Sequence, residues 1–562
     1  MTGRRPIAKG SSLIDRRGFL VAGVGALAAC GGDDPSTSPS TPTPTPTPTP
    51  SNTDFDIVVY GSSLGGLMAM VRAALRRRLR VCLIEPYAQY GGMHAAGLAI
   101  VDLTTDKVIG GDTASIYYRQ ISDIGGEKYR IEPKNAQLLA ERLIAKYAAK
   151  AFKNETIEKN DVVLENSING RRIKGILTSE GLITGKVFID ASYEGDLMAG
   201  ALGPSGYTYG RESANDFNES HGGYLAGAPG LYLVTLPTVP ALGYPFLADP
   251  RQTIGEADDK CQAFNFRVPI TRDQKIRIPF NKPSDYDPSI YATWLKLMNA
   301  TGKTTFARDY SQSSLGFQGN INSSKINFNS LDLLNGNIGY ADGSWELRRT
   351  IMETHNRWQQ GLMWCIVNDP VMQSYGLGAL QADASDVGLC GDEFAGSSNG
   401  PGWPYWLYPR EGRRLKALYI MRQRDITATE QGGTPSKSNR IGRWQYTIDI
   451  HAVQGFVSSE YRNNNVIAIE GTPPGAQDRT AIYDIPIESL LPLESLCTNL
   501  IVPVCSGFTH VAWAPQRLET AFGICGEAAG EIAAWACDRN LPVQRVDYPF
   551  VASRLKEFGT LF

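Results

Sequence analysis

Apolar positions change period along the chain, and the changes mark elements. Phe55 to Tyr60 (FDIVVY) is a nearly unbroken apolar run, the pattern of a strand buried on both faces. From Leu67 to about Arg77 apolar residues recur at helical spacing, and a second short strand, Arg80 to Ile84, stops at Glu85. Much later, Glu346 to Asn368 carries a long helical periodicity. Near the start, Val21 to Ala29 is apolar throughout, but nine residues are too few to span a bilayer as a helix.

That short run follows Arg16-Arg17-Gly18-Phe19-Leu20. Twin arginines, a short apolar core and a small-residue end read as a bacterial Tat export signal. The run closes on Leu27-Ala28-Ala29-Cys30, a lipobox pattern that makes Cys30 the expected lipidation site and first mature residue. Gly31 to Thr53 follows, with Thr-Pro repeated from Thr41 to Pro50, so residues 31–53 are expected to be an extended, disordered tether. The expected location is the periplasmic or cell-surface side of a membrane, held there by acyl chains. Because Tat export carries chains already folded, this address also points to a cofactor inserted beforehand.

Composition removes several classes. Hydrophobic residues make up 42% of the 562 and charged residues 20%, which fits a folded chain. Lys+Arg total 55 against Asp+Glu 57, so no basic excess points to nucleic acid. The nine cysteines include no Cys-x-x-Cys and the five histidines no His-Glu-x-x-His, which argues against an iron–sulfur cluster or a dedicated metal site. Disulfides between distant cysteines stay open.

The first strand runs into Gly61-Ser62-Ser63-Leu64-Gly65-Gly66, then the helix, the second strand and Glu85, 24 positions after Gly61. This order matches a dinucleotide fingerprint. Gly61 permits the tight turn and Gly66 close helix–strand packing. The helix N-terminus offers free amides to a pyrophosphate, and Glu85 can accept from ribose hydroxyls. Ser62, Ser63 and Gly65 line the same turn, although Ser63 replaces the middle glycine of the usual pattern. Tyr90-Gly91-Gly92-Met93-His94 reads as a loop closing over the cofactor, with Gly91, Gly92 and Met93 as contacts.

Asp56 to Leu98 resembles the opening of the bacterial FAD-dependent oxidoreductase family, in the glutathione-reductase-like FAD/NAD(P)-binding Rossmann superfamily. Lys186 to Leu197 (KVFIDASYEGDL) resembles its second flavin motif, with Asp190 delivered to the cofactor region, and Val162 to Gly175 the intervening β-meander. Cys497 to Ala512 resembles the closing strand and flavin loop. Arg517-Leu518-Glu519 and Gly523 to Gly530 resemble the final helix, over residues 516–537, with Gly523 and Gly526 near the flavin. Leu407 to Arg414 and Tyr446 to His451 resemble two middle motifs. The sequence departs from many relatives at Ala514-Pro515-Gln516.

The resemblance implies an α/β fold: a Rossmann-type FAD-binding domain split in sequence, with an inserted mixed α/β cap. The expected boundaries are 54–215 and 482–540 for the two halves, 216–481 for the cap, and 541–562 for a tail. A second, NAD(P)-binding domain is not expected. The implied function is hydride transfer between a small-molecule substrate and the flavin N5, with electrons passed to an acceptor in the membrane or in solution. His510 and His451 are the candidate proton-transfer groups. Arg517 is a candidate for holding an anionic substrate or a flavin phosphate, as are Arg410, Arg413 and Arg414. Asp449 is a candidate to orient a base, and His94 to line the cofactor. Two other readings remain open from sequence: an electron-transfer flavoprotein related to heterodisulfide reductase subunits, and a surface binding lipoprotein that has lost catalysis.

The amino-terminal reading is directly testable. In cells fed a clickable palmitate analogue, the full chain is expected to carry label in the membrane fraction. Cys30→Ser is expected to lose both the label and the membrane association; a labelled variant would overturn the assignment.

Overall fold

The computed structural model describes residues 53–562, except 77, 226–230, 236–246, 249–251, 301, 303, 307–317, 329–330, 459–465 and 471–479. The export signal, Cys30 and nearly all of the tether lie outside the described residues.

The first strand, β1 (Asp54–Tyr60), lies at the centre of a seven-stranded sheet. β2 (Val81–Ile84) and then β3 (Lys150–Phe152) extend the sheet on one side, all parallel. On the other side β1 pairs in parallel with β6 (Gly181–Asp190). The far edge of β6 is shared. Its first half pairs antiparallel with β5 (Gly170–Thr178), which pairs with β4 (Val162–Ser167). Its second half pairs in parallel with β7 (Leu500–Ile501), which arrives from more than 300 residues away. Parallel strands with helices packed on the sheet make this a Rossmann-type α/β fold. The unbroken apolar run of β1 is explained by two cores: Ile57 and Val59 face one, Phe55, Val58 and Tyr60 the other.

Helix α1 spans Leu64–Ala74, three residues earlier than its apolar period suggests, because Ser63 caps it by accepting from the Gly66 amide at 3.2 Å. Gly61 has φ +97°, and a Cβ there would lie 2.6 Å from the Ala191 carbonyl oxygen, so only glycine fits the turn. The long helix α2 (Trp345–Asn368) matches its predicted range within a residue. It packs in a second core with a five-stranded antiparallel sheet through Ile351, Trp358 and Leu362 against Val268, Ile270 and Phe328. The helix expected over 516–537 is found as one helix, starting three residues later, and a separate short helix precedes it. His510–Gln516 contains Pro515 and ends before Arg517, and α3 (Glu519–Arg539) then starts afresh. The expected tail, 541–562, includes a helix, Tyr548–Glu557, whose Val551 and Leu555 join the first core. Residues 51–562 form one compact unit. All eight described cysteines are free thiols.

α1 and α3 approach at backbone distance. A Cβ on Gly526 would lie 2.1 Å from the Gly65 carbonyl oxygen, and one on Gly530 would lie 2.6 Å from that of Ala69. The freedom of Gly526 therefore serves helix packing. Gly523 is similarly placed against Thr113 and Leu64. Deeper in α3, fully buried Glu527 accepts from the Thr113 amide (2.7 Å), the Thr113 hydroxyl (2.6 Å) and the Thr560 hydroxyl (3.0 Å), with no cation among these partners.

Burial pushes the Glu527 carboxyl up from 4.5 to about 7, with Asp112 adding to the effect. The folded state thus holds this proton where the unfolded chain has released it. The stability it contributes is full below pH 4.5 and falls as pH rises to about 7. Glu527→Gln is expected to remove that loss. Urea unfolding at pH 5 and pH 8 should show the variant gaining roughly 1–3 kcal/mol over the unaltered chain at the higher pH only. Parallel pH profiles would mean another group is responsible.

Candidate functional site

The carboxyl ends of β1, β2 and β6 converge on the glycine turn, where backbone amides meet two buried carboxylates. Ser62 N–H donates to Glu85 at 2.7 Å, and Tyr87 N–H donates to the other Glu85 oxygen at 3.0 Å. Leu64 N–H, in the first turn of α1, donates to Glu519 at 2.8 Å. The Tyr193 hydroxyl joins in, donating to Glu519 and accepting from the Met93 amide at 2.8 Å. Gly91 N–H donates to the Ser62 hydroxyl at 3.0 Å. Gly91 and Gly92 both take positive φ, and a Cβ on Gly92 would lie 2.5 Å from the Tyr193 hydroxyl. Burial raises both Glu85 and Glu519 to about 7, eased by the hydrogen bonds they accept. The donors of this turn thus receive anionic oxygens, which is the chemistry a pyrophosphate needs. Glu519 sits on them because the close packing of α1 and α3 sets the two helix N-termini side by side.

Asp190 ends β6, as predicted, but its carboxylate is taken up locally. It accepts from the Ser192 amide (3.1 Å), the Ser192 hydroxyl (2.7 Å) and the Met198 amide (2.7 Å). It fixes the turn that leads to Tyr193.

The segment 410–414 lies against this cradle: a Cβ on Gly412 would lie 2.4 Å from the Tyr193 carbonyl oxygen. It carries Glu411, a fully buried carboxylate paired with Arg414 and with His510, whose Nδ1 is 2.9 Å away. The charges of His510 and Arg414 hold Glu411 below the usual carboxylate range despite its burial. An ionised Glu411 can only accept, so His510 Nδ1 is the donor of this pair. The His510 backbone amide donates to Glu212 (2.9 Å), which also pairs with Arg414 (2.6 Å).

His451 belongs to a neighbouring ionic cluster. Its Nδ1 is 2.9 Å from Asp332 and its Nε2 is 3.5 Å from Asp449. Asp332 pairs with Arg410 at 2.8 Å, and Asp449 with Arg517 at 3.1 Å. Arg517 also donates to the Tyr408 hydroxyl at 3.1 Å, and Arg267 lies over the Tyr408 ring. These cations and His451 hold both aspartates well below the ordinary range. One side chain joins the two centres: Gln262 accepts from the His451 amide (3.0 Å) and donates to Glu411 (3.3 Å). His510, His451, Arg517 and Arg410, chosen from separate motifs, are thereby brought into one bonded neighbourhood. Arg413 is directed elsewhere, to Asp196 (2.7 Å) and Asp342 (2.6 Å), beside Arg348.

Sequence reasoning passed over Glu411, Glu519, Tyr193, Asp332 and Gln262. Glu411 lies inside the quoted Arg-Glu-x-Arg-Arg run, and Tyr193 and Glu519 inside other quoted motifs, so their positions carried a signal. Asp332 and Gln262 stand in segments with no motif. Among the described residues, Glu132, Asp392 and Glu393 converge closely enough to hold a metal ion. The Lys325 ammonium fills that position at 2.6, 2.7 and 2.5 Å.

A family model described as FAD dependent oxidoreductase matches residues 56–555. Among curated proteins no relative matches the chain. Similar solved structures include Thermovibrio ammonificans THI4 (18% identity, TM-score 0.20, 26% of this chain and 61% of that one). Others are the T. acidophilum thioredoxin reductase (21%, 0.17, 25% and 35%) and the glycine oxidase of Bacillus cereus (14%, 0.18, 25% and 57%). The chain spans less than two thirds of the length of each, and these likenesses carry no assignment of substrate.

Proposed function

The chain belongs to the FAD dependent oxidoreductase family, and from that premise we propose that it transfers a hydride between a small, polar substrate and FAD, with His510 handling the accompanying proton. The observation that carries this reading is the His510–Glu411 pair held against the glycine-turn cradle through Gly412 and Tyr193.

The residues present fit FAD. The amides of Ser62 and Leu64 donate to carboxylates and that of Met93 to the Tyr193 hydroxyl, donor chemistry of the kind a pyrophosphate meets, and Glu85 stands at the end of β2 where a ribose diol is met. Bound FAD supplies a two-electron carrier. Everything else falls to the chain. Glu411 accepts from Nδ1 of His510 and stabilises the imidazolium that forms when Nε2 takes a proton. Arg414 and Gln262 hold Glu411 in place, and Trp513 Nε1 donates to the Arg410 carbonyl at 3.0 Å, fixing the segment's path. Arg410 and Arg517, balanced by Asp332 and Asp449, offer bidentate donors to a carboxylate or similar group on the substrate. His451 orients this cluster between its two aspartates. Export, lipid attachment at Cys30 and delivery of electrons to an acceptor at the membrane belong to the same proposal and rest on the amino-terminal sequence.

Residues 51–562, purified as the compact unit, are expected to show oxidised-flavin absorption and to release FAD or a flavin-bearing peptide identifiable by mass. A colourless protein that also fails to take up added FAD would sink the reading. With a substrate found by anaerobic bleaching, His510→Ala and Glu411→Ala are each expected to slow flavin reduction by about 10²–10⁴-fold, with flavin content kept. Unchanged reduction rates would remove His510 from the chemistry.

A further inference from the structure

Tyr209, Ile338 and Leu347 are 40, 46 and 42% exposed, and they come from three separate segments of the chain. Apolar side chains scattered singly over a surface need no explanation. These three meet on the rim of one pocket of about 270 Å³. Tyr209 follows a strand that ends at Thr208, Ile338 lies in the loop before α2, and Leu347 is in the first turn of α2. The buried side chains of Ala341 and Val453 belong to its floor. Lys260 stands in its wall and brings an ammonium. Gln252 accepts one hydrogen of that ammonium at 3.0 Å and Asp258 balances its charge at 3.6 Å, whereas an ammonium carries three donors.

The pocket backs onto the buried charged run 410–414. Asp342, in its wall, pairs with Arg413 at 2.6 Å. Asn337, also in the wall, donates to the Gln262 carbonyl at 2.7 Å. The side chain of Gln262 in turn reaches Glu411 and the His451 amide. The groups assigned to the substrate do not line this space: His510, Arg410 and Arg517 all lie outside it. It is therefore a different place from the one where a substrate would give up its proton, and its apolar rim suits no ion. Its size is at the low end for a small-molecule site, with room for one or two rings and not for a second dinucleotide. The lining asks for an amphipathic ligand, with an apolar edge toward the rim and an accepting oxygen toward Lys260.

We propose that this pocket binds the electron acceptor and that the acceptor is a quinone. The proposal rests on FAD being bound and on the membrane attachment described above. A quinone answers each feature of the lining. Its ring matches the volume, an oxygen accepts from the Lys260 ammonium, and an isoprenoid tail lies along Tyr209, Ile338 and Leu347. It is also an acceptor that dissolves in the bilayer to which the chain is tethered. Electron transfer needs proximity and not contact, so the ring can stand behind Gln262 while the substrate is handled at His510. In the step, two electrons pass from the reduced flavin to the quinone. Two protons from solvent convert both quinone oxygens to hydroxyls, and the two protons that the flavin gives up return to solvent. The quinol leaves and the flavin is oxidised again.

The test uses the full chain purified with its flavin and reduced anaerobically by light and EDTA. Stopped-flow mixing with a ubiquinone carrying a single isoprene unit is expected to restore oxidised-flavin absorption at a rate that saturates with quinone concentration. Ferricyanide, a hydrophilic one-electron acceptor that needs no apolar pocket, is the reference. Leu347→Arg and Ile338→Arg place a charge on the exposed rim without entering the core. Each is expected to lower the ratio of quinone to ferricyanide rates about 10-fold or more. Leu493→Arg, at a comparably exposed leucine (45%) outside the pocket, is expected to keep that ratio. If the rim variants behave like Leu493→Arg, or if the unaltered protein reacts with quinone without saturation, the acceptor site is overturned while the FAD reading stands. If the rim variants instead weaken reduction by a bleaching substrate, the pocket takes substrate and the assignment fails. A protein that takes up no flavin removes the cofactor reading, and the acceptor site with it.

Discussion

The approach of α1 to α3 is the constraint on which the rest of the site depends. Two helices can lie this close only where side chains are missing, and Gly65, Gly526, Ala69 and Gly530 supply that vacancy at successive turns. The helices run in the same direction, so their positive ends arrive together at the carboxyl edge of the sheet. The amides of the glycine turn and the first residue of α3 then have to be satisfied in one small volume. Glu519 does this by bridging from its own helix to the Leu64 amide. The same contact positions Tyr193, and through Tyr193 the Met93 amide and the loop beyond it. Cofactor cradle and closing loop are thus fixed by packing rather than by a rigid frame of their own.

The second organising feature is electrostatic. Arg410, Glu411, Arg413 and Arg414 are all buried, in a run of five residues. Such charges are tolerated only when each finds an opposite partner in the interior. Here the partners come from separate parts of the chain: Asp332 for Arg410, Asp196 and Asp342 for Arg413, Glu212 for Arg414, and His510 for Glu411. The run therefore works as a hub. It draws the closing flavin loop, the second sheet and the cradle onto one strip of backbone, and Gln262 couples the His510 and His451 centres across it. A hub of this kind specifies geometry, because moving any one element would strand a buried charge.

Much of this was legible in the sequence, and the reason is local. A strand, a tight turn and a helix are dictated by neighbouring residues, so the apolar run 55–60, the glycine turn and Glu85 gave the first βαβ unit directly. The long helix 345–368 was equally visible from its periodicity. Boundaries that depend on capping were not: Ser63 starts α1 three residues before the apolar pattern does, and α3 starts three residues after the expected 516. The histidines of two distant motifs could be chosen because residue chemistry favours an imidazole base and both lie in motifs that resemble a flavin family's.

What tertiary structure alone decided is which groups answer one another. No spacing rule pairs Glu411 with His510, Asp332 with His451, or Glu519 with the α1 amide, because each contact spans about a hundred residues or more. Gly523 and Gly526 show the same limit. As residue types they suit a flavin contact or a helix contact equally, and only the position of Gly65 and Thr113 turns them to packing. The sequence alone determined the class of fold and the dinucleotide-type turn, since those rest on local backbone chemistry, and its motifs' resemblance to a flavin family implied FAD. The tertiary structure decided the ionisation and the hydrogen-bond partners, since those depend on which distant side chains share the packed interior.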